Sequence, residues 1–137
     1  MPESQKSTDR AASLCTILLA EDHSATAEMT AEIIGHFGYK VIVARDGLEA
    51  ITFARRHQPC LILMDIQMPN MDGLTATREL KQDPATAQIP VICLTAFAME
   101  KEAARCREAG AVLHLSKPVD FDHLAQLLAQ YTSPAKP

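Results

Sequence analysis

The residues best suited to chemistry follow short apolar runs. Glu21-Asp22 comes directly after Ile17–Ala20 (ILLA), and Asp65 after Leu61–Met64 (LILM). Thr95 follows Val91–Leu94 (VICL), and Ser116-Lys117-Pro118 follows Val112–Leu115 (VLHL). If these runs are parallel strands, three carboxylates, a hydroxyl and an ammonium converge on one sheet edge. Carboxylates packed together repel, so Glu21, Asp22 and Asp65 need a cation between them. Hard oxygen ligands suit Mg²⁺ or Ca²⁺, and few protein ligands with several waters favour Mg²⁺. Beside such an ion an Asp carboxylate can attack a phosphoryl group and form an acyl phosphate. That transfer needs positioning and charge neutralisation, which the metal, Lys117 and the Thr95 hydroxyl can supply. Taken singly, each residue has an ordinary explanation. An acidic pair caps a helix, Asp72-Gly73 makes a turn, Thr95 ends a strand and Lys117 is a solvated charge. Their joint placement singles them out.

The elements that must position them are legible in the hydrophobic pattern. With Val41–Ala44 (VIVA) there are five short runs, continuous rather than alternating, as expected of strands covered on both faces. Helical spacing fills the gaps. Ser24 is the expected N-cap of Ala25–Phe37, whose Met29, Ile33, Ile34 and Phe37 form one stripe before Gly38 ends it. Glu49–His57 follows Asp46-Gly47 and stops at Pro59, Leu74–Lys81 follows Asp72-Gly73, and Ala98–Ala109 ends at Gly110. Phe121–Tyr131 carries Leu124, Leu127, Leu128 and Tyr131. Five βα units in series predict an α/β fold, a doubly wound parallel five-stranded sheet with helices on both faces. In such sheets the site lies at the carboxyl ends of the strands, beside a topological switch point.

Composition narrows the function further. The 137 residues allow one domain, expected over 15–132 between polar tails at 1–14 and 133–137. Apolar residues reach 47% and charged residues 22%, enough for a packed core. A net charge of −4 disfavours nucleic acid, and 4% aromatic content disfavours base-stacking platforms. The N-terminus lacks the apolar stretch of a signal peptide, and no run approaches the roughly 18 residues of a membrane span. A cytoplasmic protein with no membrane or nucleic-acid partner is expected. Cys15, Cys60, Cys93 and Cys106 form no C-x-x-C pair and read as small buried hydrophobes rather than a zinc or disulfide framework.

The segments ILLAED (17–22), LILMDIQMPNMDG (61–73), IPVICLTAFAM (89–99) and GAVLHLSKP (110–118) resemble the signature blocks of bacterial response-regulator receiver domains. The Asp-x-x-Met-Pro-x-x-Asp-Gly core of the second block is highly specific, and the resemblance spans about residues 15–131. It implies the flavodoxin-like receiver fold, strand order 2-1-3-4-5. It further implies that Asp65 accepts a phosphoryl group from a phosphohistidine. Asp22 would hold Mg²⁺ directly, Glu21 through water, and the Gln67 backbone carbonyl would complete the protein ligands. Lys117 would pair with phosphoryl or carboxylate oxygens, the Lys117–Pro118 bond would be cis, and Thr95 would bind a phosphoryl oxygen and pull its loop.

Two positions depart from the commonest pattern. His114 stands where relatives carry Tyr or Phe, and reads as packing and hydrogen-bonding on the output face. The sharper alternative is a pH-sensitive replacement of the aromatic switch. His23 stands where Asn or Asp is frequent, and reads as a partner contact. By the same resemblance, the phosphoryl donor is a histidine kinase or a histidine phosphotransfer protein, docked across the first helix and the loop after the fifth strand. Ala27, Thr30 and Ala31 are the expected small exposed residues there. Output would pass to a downstream protein from a monomer or a phosphorylation-dependent dimer. The charged run 98–109 is a candidate output surface.

The reading is a stand-alone signalling switch, which Met1 and the polar tails favour; a receiver excised from a hybrid histidine kinase is the variant. An aspartyl-phosphate hydrolase needs an acid–base group two residues past the nucleophile, where Gln67 cannot titrate. A flavodoxin-like cofactor binder would need a Gly-rich phosphate loop, and the five glycines form none. The resemblance further implies that Phe97, at the expected pocket rim, and Gln67 help gate the hydrolytic water. Phe97→Ala is accordingly expected to change the lifetime of the acyl phosphate, and an unaltered decay rate in a phosphate-release assay would refute this.

Overall fold

The computed structural model describes residues 15–96 and 100–132. Among them β1 (Thr16–Ala20), α1 (Ser24–His36), β2 (Lys40–Ala44), α2 (Gly47–His57), β3 (Leu61–Asp65), α3 (Gly73–Gln82), β4 (Val91–Thr95), α4 (Glu100–Ala109), β5 (Leu113–Ser116) and α5 (Phe121–Thr132) alternate along the chain. The strands form one parallel sheet in the order β2-β1-β3-β4-β5. β3 and β4 are buried throughout, which is why their sequences are continuously apolar. Alternate residues of β1 to β4 enter two separate cores, and β5 adds Leu113 and Leu115 to one of them. Leu18, Ile62, Met64 and Cys93 pack with Ala50 and Ala54 of α2, Leu80 of α3 and Cys106 of α4. Ile17, Leu61, Leu63, Ile92 and Leu115 pack with Ile34 of α1 and Leu124 and Leu128 of α5. The chain changes faces between β1 and β3, so the carboxyl ends of these strands flank the switch point.

The first helix departs from expectation. His23, not Ser24, is its N-cap: the His23 Nδ1 accepts from the Thr26 N–H at 3.3 Å. The Ser24 hydroxyl instead accepts from Arg45, at 3.3 Å. The buried stripe is Ala27, Thr30 and Ile34, while Met29 is 52% and Phe37 38% exposed. Ala27 and Thr30 are therefore not an exposed small-residue surface, and Ala31 also packs toward the sheet. The 27/30/31/34 and 29/33/37 sets both have helical spacing. The small set faces the sheet, where it permits close approach, and this preference is invisible in periodicity alone. Val112 lies outside β5 and is 46% exposed, although its N–H still donates to Val91 at 2.9 Å.

The cysteines divide into two kinds. Cys93 and Cys106 are buried thiols, as expected. Cys15 and Cys60 instead form a disulfide, with Cα atoms 5.6 Å apart. The β1–β3 pairing brings together residues 45 apart in sequence, since the Cys60 N–H donates to the Thr16 carbonyl at 2.9 Å. No helix among the described residues is long and apolar enough to cross a membrane.

Asp46 joins the two loops on the α2 side. Its Oδ1 accepts the Glu49 N–H at 2.8 Å, capping α2, and its Oδ2 accepts from the Asn70 amide at 2.7 Å. These bonds, Glu49 first and then Asn70, hold the carboxyl below its ordinary range. A depressed folded-state value means the contribution is present above the unfolded value of 3.8 and is lost as pH falls below it. Asp46→Ala should cost about 1 kcal/mol near pH 7, as expected of a lost N-cap. In urea melts the gap from wild type should narrow as the pH is lowered through the unfolded value.

Candidate functional site

The chemistry-bearing residues do converge at the carboxyl edge. Asp65 ends β3, Glu21 and Asp22 follow β1, Thr95 ends β4 and Lys117 follows β5. Parallel pairing makes this automatic: Ala20 lies opposite Met64, Asp65 opposite Leu94 and Thr95 opposite Ser116. Each strand thus delivers its terminal residue to the same level. The cleft holds about 380 Å³ and is lined by Glu21, Asp22, His23, Thr26, Asp65, Gln67, Ala96 and Lys117.

Lys117 is the electrostatic centre of the cleft. Its Nζ donates to Glu21 Oε1 at 2.6 Å and to Asp65 Oδ2 at 2.7 Å. Side-chain exposures of 2% for Glu21 and 7% for Asp65 mean water screens neither carboxylate well. Burial raises the Glu21 carboxyl above its ordinary value; the Lys117 bond offsets part of that, and the neighbouring Asp65 charge adds to it. Burial alone would lower Lys117, but its bonds to Asp65 and Glu21 reverse this and hold the ammonium above its usual range.

Main-chain donors complete the carboxylate environment. The Gln67 N–H donates to Asp65 Oδ1 at 3.0 Å, and the His23 N–H to Glu21 Oε2 at 3.2 Å. Asp22 is exposed. Carboxylate oxygens of Glu21, Asp22 and Asp65 lie within 4.8 Å of one another, and this all-oxygen donor set fits a hard divalent cation. Thr95 is fully buried at the end of β4. The Lys117–Pro118 bond is cis, as the resemblance implied. Pro118 lines an adjacent, more apolar cleft of about 370 Å³ with Thr26, Met29, Val119 and Phe121.

Other expected residues sit apart or lie outside the description. His114 is half-buried on β5, opposite Cys93, away from the acidic cluster. Phe97 lies outside the described residues. Sequence reasoning missed Gly73 as a site determinant, reading Asp72-Gly73 only as a turn. A Cβ there would collide with the Asp65 carbonyl oxygen and the Ile66 Cα, so only glycine lets α3 start so close behind the acidic strand. It also missed Ala96, a small cleft-lining residue whose position directly after Thr95 was the available signal.

A family profile for the response regulator receiver domain matches residues 17–129. This chain belongs to that family. The receiver is 38% identical over 120 residues to the polar-differentiation response regulator DivK of Brucella anthropi, covering 88% of this chain and 98% of that protein. It also resembles the receiver domain of a sensor histidine kinase from Pseudomonas aeruginosa, whose crystal structure has a magnesium ion coordinated in its active-site cleft. That similarity has 32% identity, covers 88% of this chain and 98% of the other, and gives a TM-score of 0.81. The receiver domain of a histidine kinase from Syntrophus aciditrophicus is 35% identical over 89% of this chain and 92% of its own, also at TM-score 0.81. Receivers are signalling switches of two-component systems. They interact with kinases or phosphotransfer proteins and with downstream targets, and they bind Mg²⁺ in the active site.

Removing the ammonium from this receiver would leave two buried carboxylates facing each other. Lys117→Met is expected to cost about 3 kcal/mol at neutral pH, within the range for breaking a buried ion pair. The loss should shrink as pH falls through the carboxylate range, because protonation then removes the repulsion. Thermal melts of both proteins across that range test the trend.

Proposed function

We propose that this receiver accepts a phosphoryl group from a phosphohistidine onto Asp65 in a Mg²⁺-dependent reaction and thereby changes its protein-binding surface. The observation that carries the reading is the Asp65 carboxylate, buried between the Gln67 N–H and the Lys117 ammonium and opening onto an oxygen-lined cleft. An Asp65 oxygen forms the new O–P bond while the donor's N–P bond breaks, the electron pair leaving on the imidazole nitrogen. Gln67 and Lys117 hold the carboxylate in orientation, so little reorganisation is needed during transfer. Lys117 and Thr95 then balance the charge on the phosphoryl oxygens.

Glu21, Asp22 and Asp65, with the Gln67 carbonyl, are the residues that would hold Mg²⁺. When bound, the ion neutralises charge on the phosphoryl oxygens. The magnesium-bearing Pseudomonas aeruginosa receiver and the chemistry of this donor set support that assignment. Beyond accepting and losing its own phosphoryl group, the chain is read as a switch rather than an enzyme with a separate substrate.

The donor is a helical, histidine-bearing kinase or phosphotransfer domain. The apolar cleft between α1 and the loop after β5 supports docking there, because it adjoins the acidic cleft and shares Glu21 and Lys117 with it. Exposed Met29, rather than Ala27 or Ala31, is the α1 side chain suited to anchor such a helix. Output passes to a downstream protein, from a monomer or a phosphorylation-dependent dimer, in a cytoplasmic setting. Both stand-alone and kinase-borne receivers occur among the relatives, so the same switch fits either setting.

Intact-mass spectrometry after incubation with Mg²⁺ and a small phosphodonor such as acetyl phosphate tests this reading. Wild type should gain one phosphoryl group, Asp65→Asn should gain none, and removing Mg²⁺ with a chelator should abolish the gain. Equal modification of wild type and Asp65→Asn would overturn the assignment.

A further inference from the structure

We propose that Cys15 and Cys60 form a reversible thiol–disulfide exchange site for low-molecular-weight disulfides and thiols of the glutathione class. The site lies at the amino ends of β1 and β3, opposite the acidic cleft, and is independent of the phosphotransfer reading.

The strand pairing, not the sulfur bond alone, holds the two residues together. The Cys60 N–H donates to the Thr16 carbonyl at 2.9 Å, and the register continues directly into Ile17 opposite Leu61. The Cα separation of 5.6 Å is within the span a disulfide bridges without backbone movement. Opening the bond therefore leaves two thiols already facing one another, ready to close again.

The reduced form also has an acceptor of its own. The Cys15 Sγ lies 3.9 Å from the carbonyl oxygen of Thr132, at the end of α5. A disulfide sulfur has no proton to donate to that oxygen, whereas a thiol has one. Both redox states are thus accommodated by the same backbone.

Access separates this pair from the other cysteines. Cys15 and Cys60 are each partly exposed, whereas Cys93 and Cys106 are buried. Burial pushes both buried thiols up, keeping them protonated and poor nucleophiles. One chain therefore contains an exchangeable pair and an internal control.

The exchange balances in two steps. A thiolate of the pair attacks a sulfur of the small disulfide RSSR, forming a protein–SR bond and expelling RS⁻, which takes up the released proton. The second protein thiolate attacks the protein sulfur of that mixed disulfide, closing Cys15–Cys60 and expelling the second RS⁻, likewise protonated. Two protein thiols are oxidised while one RSSR becomes two RSH, and the reverse sequence opens the bond.

To test this, the full chain is equilibrated in glutathione buffers from fully reduced to fully oxidised at neutral pH, where a fast alkylating agent in excess traps the thiols of the native protein. Free thiols are alkylated before and after denaturation and located by peptide mass spectrometry. Circular dichroism checks that the fold persists in every buffer. Cys15 and Cys60 should be alkylated together in the reduced native protein and protected in the oxidised one, with full recovery on returning to reducing buffer. Cys93 and Cys106 should react only after denaturation. In Cys60→Ser, Cys15 should retain a glutathione adduct that wild type resolves. The proposal fails if the bond opens only when Cys93 and Cys106 also become reactive, since that marks a crosslink released by unfolding. Failure of Cys15–Cys60 to form in oxidised buffer overturns it equally.

Discussion

Carboxylate oxygens of Glu21, Asp22 and Asp65 share a space less than 5 Å across, and two of these side chains are almost wholly withdrawn from water. At that separation the buried Glu21–Asp65 pair repels by about 3 kcal/mol with an effective dielectric near 20. The Lys117 ammonium bridges the two buried members and makes their ionisation tolerable. Much of the architecture follows from keeping that cation in place. Lys117 must come from a strand two places along the sheet from Asp65, so β4 must lie between them in full register. The parallel arrangement is thus a condition for gathering the charges as well as a way to bury apolar strands.

Two cores make that arrangement rigid. β1 to β4 contribute alternate side chains to both cores, so the sheet is a wall shared by α1 and α5 on one side and α2, α3 and α4 on the other. Asp65 ends a strand buried along its whole length, and its main chain has little freedom to let the carboxylate drift. Gly73 extends the constraint beyond the strand, because α3 begins against the backbone of the acidic residue itself. Asp46 and Asn70 tie the intervening loop to the N-terminus of α2.

Most of this was legible because strand-end chemistry and continuous apolar runs are local signals. ILLAED and LILMDIQMPNMDG carry both the element and its functional terminus in one stretch, so the fold and the acidic cluster came together. The face of α1 was not legible, since Met29 and Ala27 belong to two sets with equally good helical spacing. The sheet selects the smaller set through close approach, a tertiary choice. The disulfide was hidden for a related reason. Cys15 and Cys60 show no local motif, and only the pairing of β1 with β3 makes them neighbours. His23 as a helix cap was equally obscure, because an imidazole is a less common cap than the Ser24 beside it.

The bond from the Lys117 N–H to the Thr95 carbonyl, 2.7 Å long, lies just past the last paired residues of β4 and β5. It makes the hydroxyl-bearing strand end and the ammonium-bearing loop a single mechanical unit. The same bond fixes the backbone of the residue that grips Glu21 and Asp65 to the end of β4. Pro118, next in the chain, lines the apolar cleft beside α1. The acidic and apolar clefts therefore share one stretch of backbone, anchored at Thr95 and running through Lys117 to Pro118.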